Sequence, residues 1–167
     1  MSDYFKEIIL QSRQAAKAMT KLTAMDRSKI LMNISGFLLT HKNVILQANQ
    51  LDVDRAKSNN LSEPMVNRLI LTAEKIDQLS QDVEKIAQMP DPLNQELEIW
   101  DNPSNGLRFS KVSVALGVIG IIYESRPNVT IDAASLCLRS GNVSILRGGS
   151  ECIETNKKLY ECIQQAL

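Results

Sequence analysis

Two apolar runs decide most of what this chain can fold into: "GVIGIIY" at 117–123 and "NVSILR" at 142–147. Runs this apolar, with little polar alternation, are the form of strands covered on both faces in a parallel sheet. Between them "NVTIDAASLCLRS" suits a helix, with Asn128 or Thr130 as its cap and Gly141 at the left-handed position beyond its last turn. After the second run, "SECIETNKKLYECIQQAL" reads as another helix. Strand, helix, strand, helix makes a right-handed βαβα unit, the opening of a doubly wound, Rossmann-like parallel sheet. Two parallel strands make a poor sheet by themselves, so the expected fold is the front part of something longer.

Upstream the alphabet is helical. Phe5, Ile8, Ile9, Ala15, Ala16 and Met19 recur at helical spacing, as do Ile30, Leu31, Ile34, Phe37 and Leu38, then Val44, Ile45 and Ala48. Ser62 is placed to cap a further helix with Pro64 in its first turn, and Ile76, Leu79, Val83 and Ile86 mark one more. "MPDP" at 89–92 stops helix formation, because proline lacks the donor and restricts its predecessor. "LEIW" and "LRFSKVSVAL" then flank the turn-rich "DNPSNG", which predicts a β-hairpin around Asn105-Gly106. The expected organisation is a helical region over 1–92, a hairpin arm over 93–116 and the βαβα unit over 117–167.

Composition removes several classes of function. Lysine plus arginine and aspartate plus glutamate both total 19, which argues against a general nucleic-acid binder. No apolar run approaches a membrane span, and charges thread the N-terminus, so neither an anchor nor a signal peptide is expected. Three cysteines without an export signal suggest reduced thiols and a cytoplasmic protein. A single histidine, His41, and no Cys-x-x-Cys pair leave no metal site. His41 lies between two helical stretches and suits a surface or capping role. Asp52 and Asp54 read as a solvated face.

Candidate chemistry gathers at the C-terminal ends of the two strands, where open α/β sheets hold their ligands. Glu124, Ser125, Arg126 and Asn128 crowd the loop after the first strand, more polar side chains than a plain turn needs. An asparagine amide there can donate to a developing oxyanion. "RGGSE", residues 147–151, follows the second strand: an arginine fork for phosphate oxygens, two glycines for close backbone approach and a serine able to cap the next helix. A tight strand-to-helix turn would explain the same residues. The usual dinucleotide and phosphate-loop fingerprints are missing. Cys137, mid-helix between Leu136 and Leu138, has no histidine to activate it and reads as core, as do Cys152 and Cys162.

The run "GVIGIIYESRPNVTIDAASLCLRSGNVSILRGGSE" resembles the gamma-glutamyl phosphate reductase family, also called glutamate-5-semialdehyde dehydrogenases, within the aldehyde dehydrogenase superfamily. The likeness continues back through "ANQLDVDRAKSNNLSEPMVNRLILTAEKIDQLSQDVEKIAQMPDPLNQ" and so spans nearly the whole chain. The resemblance implies an incomplete aldehyde dehydrogenase-like fold, the N-terminal portion only, beginning where the free-standing reductase begins and with the catalytic domain absent. It implies reduction of L-glutamyl 5-phosphate by NADPH to L-glutamate 5-semialdehyde and phosphate, the second step of proline biosynthesis, in an enzyme that is a homo-oligomer when complete.

In that superfamily a cysteine thiolate attacks the acyl carbon and a bound nicotinamide reduces the thioester. The superfamily's strand-end Lys-Pro-Ser/Ala-Glu motif matches Arg147, Gly148, Gly149 and Ser150, which makes these the implied cofactor-binding residues. Arginine for lysine and serine for the acid favour a 2′-phosphate. A direct count to the oxyanion asparagine lands on Arg126, and the nearest asparagine is Asn128. Asn128 is accordingly carried as oxyanion donor and Arg126 as a substrate contact. The nucleophilic cysteine falls outside the chain, which is expected to be inactive alone. The alternative expectation is a non-catalytic chain that docks on full-length reductase subunits through the hairpin arm.

Overall fold

The computed structural model describes residues 3–167, so the first two residues of the expected helical region lie outside it. Five helices come first: α1 (Asp3–Met19), α2 (Ala24–Thr40), α3 (Lys42–Ser58), α4 (Glu63–Leu69) and α5 (Ala73–Gln88). A hairpin follows, β1 (Glu96–Asn102) and β2 (Leu107–Val112), then β3 (Val118–Ile122), α6 (Asn128–Arg139), β4 (Val143–Arg147), a 3₁₀ turn (Ser150–Cys152) and α7 (Ile153–Ala166). β3 and β4 pair in parallel, in register from Val118 opposite Val143 to Ile122 opposite Arg147. The α/β order read from the sequence is therefore the order of the fold.

Local chemistry explains most of the boundaries. Thr23 and Asp26 form a reciprocal capping box at the start of α2, each side chain receiving the other's backbone N–H. Thr72 caps α5 by accepting from the Lys75 N–H. Gly141 ends the α6 region at φ +71°, a left-handed conformation that costs glycine little. In the hairpin Gly106 takes φ +69°, and Trp100 stacks on its cross-strand partner Phe109 at 5.5 Å.

One core joins the helical region to the βαβα unit. Leu31, Ile34 and Leu38 of α2, Ile45 of α3 and Ile76 and Val83 of α5 pack with Ile131 and Leu138 of α6 and Leu159 and Cys162 of α7. Polar clamps reinforce it. Arg27, almost wholly buried, holds both carboxylate oxygens of Asp91 at 2.7 Å. Arg139 reaches from α6 to the Met89 carbonyl and to Ser28 Oγ at 2.7 Å.

Several expectations need correction. The run at 117–123 is not covered on both faces: along β3 exposure alternates, and Ile122 is 76% exposed. Among the described residues β4 is the only strand paired with β3, and a ladder partner lies along an edge and covers neither face, so one face of β3 is left open. The apolar stripe of α1 is also largely open. Phe5, Ile9 and Ala15 are exposed and Met19 alone of the stripe is buried, because α1 packs mainly against β3 and β4 and joins the main core only through Met19 at its end. Val44 faces solvent as well. Ser62 precedes α4 without a side-chain cap, although Pro64 does lie in its first turn. Neither Asn128 nor Thr130 caps α6, whose capping position is Pro127, with no side-chain cap.

Candidate functional site

The strand ends of β3 and β4 form one rim. The Tyr123 N–H donates to the Arg147 carbonyl at 3.1 Å, extending the parallel pairing past β3 and bringing 123–128 beside 147–151. In the first loop the Arg126 N–H turns back to the Glu124 carbonyl at 2.7 Å, a bend that leaves Glu124, Arg126 and Asn128 exposed around a buried Pro127. Glu124 pairs with Arg68 of α4 at 3.2 Å. Arg147 is exposed and makes no ion pair or side-chain hydrogen bond among the described residues. It is therefore a cation available to an anionic ligand.

The two loops are tied together from inside. Ser125 Oγ donates to Glu151 Oε2 at 2.5 Å. That hydrogen bond, with help from the Glu151 N–H, holds the Glu151 carboxyl below its ordinary pKa. Below the loops the Tyr123 hydroxyl lies 2.7 Å from Thr130 Oγ1, which donates to Asn156 Oδ1 at 2.9 Å. Asn156 Nδ2 in turn donates to Cys152 Sγ at 3.2 Å.

These contacts explain the glycines. A Cβ on Gly148 would come within 2.5 Å of Asn156 Nδ2 and 3.0 Å of the Tyr123 ring. One on Gly149 would run into Ser125 Oγ and reach 2.5 Å from Glu151 Oε2. The close approach that requires glycine is to the protein's own side chains.

The start of α7 differs from the sequence expectation. Ser150 is exposed in the 3₁₀ turn and does not cap the helix. The α7 N-terminus is instead met by Asp52 from α3, which is fully buried and not part of a solvated face. Its Oδ2 accepts from the Thr155 N–H at 2.8 Å and from Thr155 Oγ1 at 2.7 Å, and its Oδ1 accepts from the Glu154 N–H at 3.3 Å. Asp54 is exposed, as expected.

Asn128 is close to the rim but already partnered, its amide donating to Asp132 Oδ2 at 3.0 Å one helical turn along. The structure thus brings Arg147, Gly148, Gly149 and Ser150 beside the loop carrying Arg126 and Asn128. The residues missed from the sequence are Tyr123, Glu151 and Asp52. The first two lie within or beside the motifs, but nothing in their spacing says where the side chains turn. Asp52 is about a hundred residues from its partners and carries no local signal.

The cysteines are buried. Burial pushes the Cys137 thiol up and takes Cys152 and Cys162 to about 11. A thiol so raised supplies little thiolate near neutrality. His41 is the capping residue after α2, its Nδ1 3.0 Å from the Phe37 carbonyl. Among the described residues no helix is long and apolar enough to cross a membrane, and no group of acidic, histidine or cysteine side chains could hold a metal ion.

No family model matches the chain. Curated relatives do. It is 44% identical over 157 residues to a gamma-glutamyl phosphate reductase of Geobacillus sp. (strain WCH70), covering 94% of this chain and 38% of the relative. It is 40% identical over 167 residues to that of Petrotoga mobilis, covering all of this chain and 40% of the relative. The crystal structure of the gamma-glutamyl phosphate reductase from Thermotoga maritima superposes with a TM-score of 0.94 at 36% identity, over 99% of this chain and 40% of that one. An NAD-dependent benzaldehyde dehydrogenase from Corynebacterium glutamicum, 18% identical, shares the fold with a TM-score of 0.69 over 93% of this chain and 31% of its own. The chain is thus related along nearly its whole length to the gamma-glutamyl phosphate reductases and spans about two fifths of theirs.

Proposed function

We propose that this chain is the N-terminal, cofactor-binding part of an NADPH-dependent gamma-glutamyl phosphate reductase. The complete enzyme converts L-glutamyl 5-phosphate to L-glutamate 5-semialdehyde and phosphate in the cytoplasm, the second step of proline biosynthesis. The observation that carries the reading is identity of 40–44% to enzymes of that name over 94–100% of the chain.

The bound nicotinamide supplies the reducing equivalent. The residues of this chain hold and orient it. The exposed Arg147 fork would hold the 2′-phosphate, the backbone of Gly148, Gly149 and Ser150 would line its approach, and Arg126 would meet the substrate. Asn128 serves as oxyanion donor: its amide nitrogen carries two N–H groups, and the hydrogen bond to Asp132 Oδ2 uses one of them. The nucleophilic thiol is not one of the three present, which are buried with raised pKa values. The hairpin, with Trp100 50% and Phe109 39% exposed, is the surface through which the complete enzyme pairs with further copies of itself. The same surface supports the second reading, a non-catalytic chain docked on full-length reductase subunits.

The chain alone, given NADPH and L-glutamyl 5-phosphate, is expected to show no turnover. Turnover abolished by Cys137→Ala would overturn the assignment of the thiols. In a full-length enzyme carrying this segment, Arg147→Ala is expected to weaken NADPH by roughly tenfold to a hundredfold, the value of one charge-assisted contact, and NADH far less. Equal losses for both cofactors would leave Arg147 as a turn residue only.

A further inference from the structure

A helix N-terminus beside a strand-end loop is an electrostatically favourable place for a phosphate. In this protein that place is filled. Asp52 accepts from the Glu154 and Thr155 N–H groups at 3.3 and 2.8 Å, deep enough that the residue is wholly buried. It is also locked from behind. Thr155 Oγ1, which donates to Asp52, accepts from Asn49 Nδ2 at 3.2 Å. Asn49 in turn donates to the Leu69 carbonyl at 2.7 Å and accepts from the Leu71 N–H at 2.8 Å. Arg55, 3.6 Å from Asp52 Oδ1 and 3.8 Å from Glu154 Oε1, offsets part of the charge from a half-exposed position.

We propose that Asp52 is the positioning and selectivity residue of the strand-end site: it neutralises the α7 N-terminus, fixes the 147–151 loop, and leaves anion recognition to Arg147 and the loop backbone. Two consequences follow from the geometry. The first turn of α7 is held by α3, so the loop that precedes it has a fixed far end before any ligand arrives. And a buried carboxylate stands behind the loop, so a doubly charged phosphate entering there meets less positive potential than a bare helix end would offer. Asp52 thus limits the preference for phosphate that Arg147 creates. The selectivity half of this inference rests on the cofactor reading given above; the positioning half does not.

Both halves are tested on the chain as it stands, with Asp52→Ala and Asp52→Asn. Site-resolved amide exchange reads the positioning. Asp52→Ala is expected to speed exchange at Glu154, Thr155 and 148–151 by about tenfold or more, and Asp52→Asn, which keeps an acceptor, to restore most of the protection. Calorimetric binding of adenosine 2′,5′-bisphosphate against adenosine 5′-monophosphate reads the selectivity. Asp52→Asn is expected to raise the affinity ratio in favour of the bisphosphate by about threefold or more, whereas a purely structural role would weaken both probes together. Unchanged exchange in Asp52→Ala overturns the positioning, and an unchanged ratio overturns the selectivity. Wild-type protein that binds neither probe would sink the cofactor reading and with it the selectivity, while the exchange result still decides the positioning. Should Asp52→Ala fail to fold, Asp52→Ser, whose shorter side chain cannot reach both N–H groups, takes its place: exchange at Glu154 and Thr155 faster than in the wild type supports the positioning and wild-type rates there overturn it, while Asp52→Asn still decides the selectivity.

Discussion

Replacing Gly149 by alanine tests whether the strand-end turn is crowded by the protein itself. Gly149 has φ −64° and ψ 151°, angles any residue accepts, so the backbone pays no penalty and the unfolded chain loses freedom. That alone would stabilise the alanine variant by about 0.4–1 kcal/mol. The new Cβ, however, would collide with Ser125 Oγ and stand 2.5 Å from Glu151 Oε2, so the 2.5 Å bond between those side chains must break. A hydrogen bond to a charged group contributes about 1.5–3 kcal/mol, and the lower end applies to this partly exposed pair. The net expectation for Gly149→Ala is a loss of about 1 kcal/mol in urea unfolding. In a Ser125→Ala background the bond is already gone and the Glu151 carboxylate can swing into solvent, so the same change should be neutral or slightly stabilising. The double-mutant cycle should therefore give a coupling of about 1.5 kcal/mol. An identical effect of Gly149→Ala in both backgrounds would show that Ser125 and Glu151 do not set the need for glycine, and the account of this turn would be wrong.

Other outcomes follow from the same structure. Asp91→Ala strips from the buried Arg27 the only carboxylate paired with it among the described residues and should cost about 3 kcal/mol in chemical denaturation, a buried charge left unpaired being the expensive case. Ile34→Ala, at a fully buried position of α2, should cost about 2–5 kcal/mol in the same assay. At pH 8 all three thiols should resist iodoacetamide in the native state and react fully in denaturant; rapid native labelling of Cys137 would contradict its raised pKa. Asp26 and Glu151 both have lowered pKa values, chiefly through hydrogen bonds from Thr23 and Ser125, so their contribution to stability is present above the ordinary carboxylate range and lost as pH falls through the lowered values. Asp26→Asn should flatten that acid limb, measured by unfolding midpoints between about pH 5 and pH 2.

Local chemistry made the element order legible in advance. Helical spacing around Leu31, Ile34 and Leu38, proline at 90 and 92, Asn105-Gly106 between alternating segments and two apolar runs separated by a helix each act within a few residues, and each survives in the fold. The strand-end motif was equally visible, and its glycines are needed for close approach, though to Tyr123, Asn156, Ser125 and Glu151. Burial and helix capping were not legible. Whether Phe5 or Ile122 is covered depends on which other elements stand over it, and periodicity reports only that a face exists. Asp52 carries the lesson furthest. Next to Asp54 it looks like half of a solvated acidic pair, yet it turns inward to satisfy the N–H groups of a helix about a hundred residues away. A helix end needs an acceptor but does not specify which segment must supply it, so the sequence could announce the need and only the packing of α3 against α7 could choose the residue.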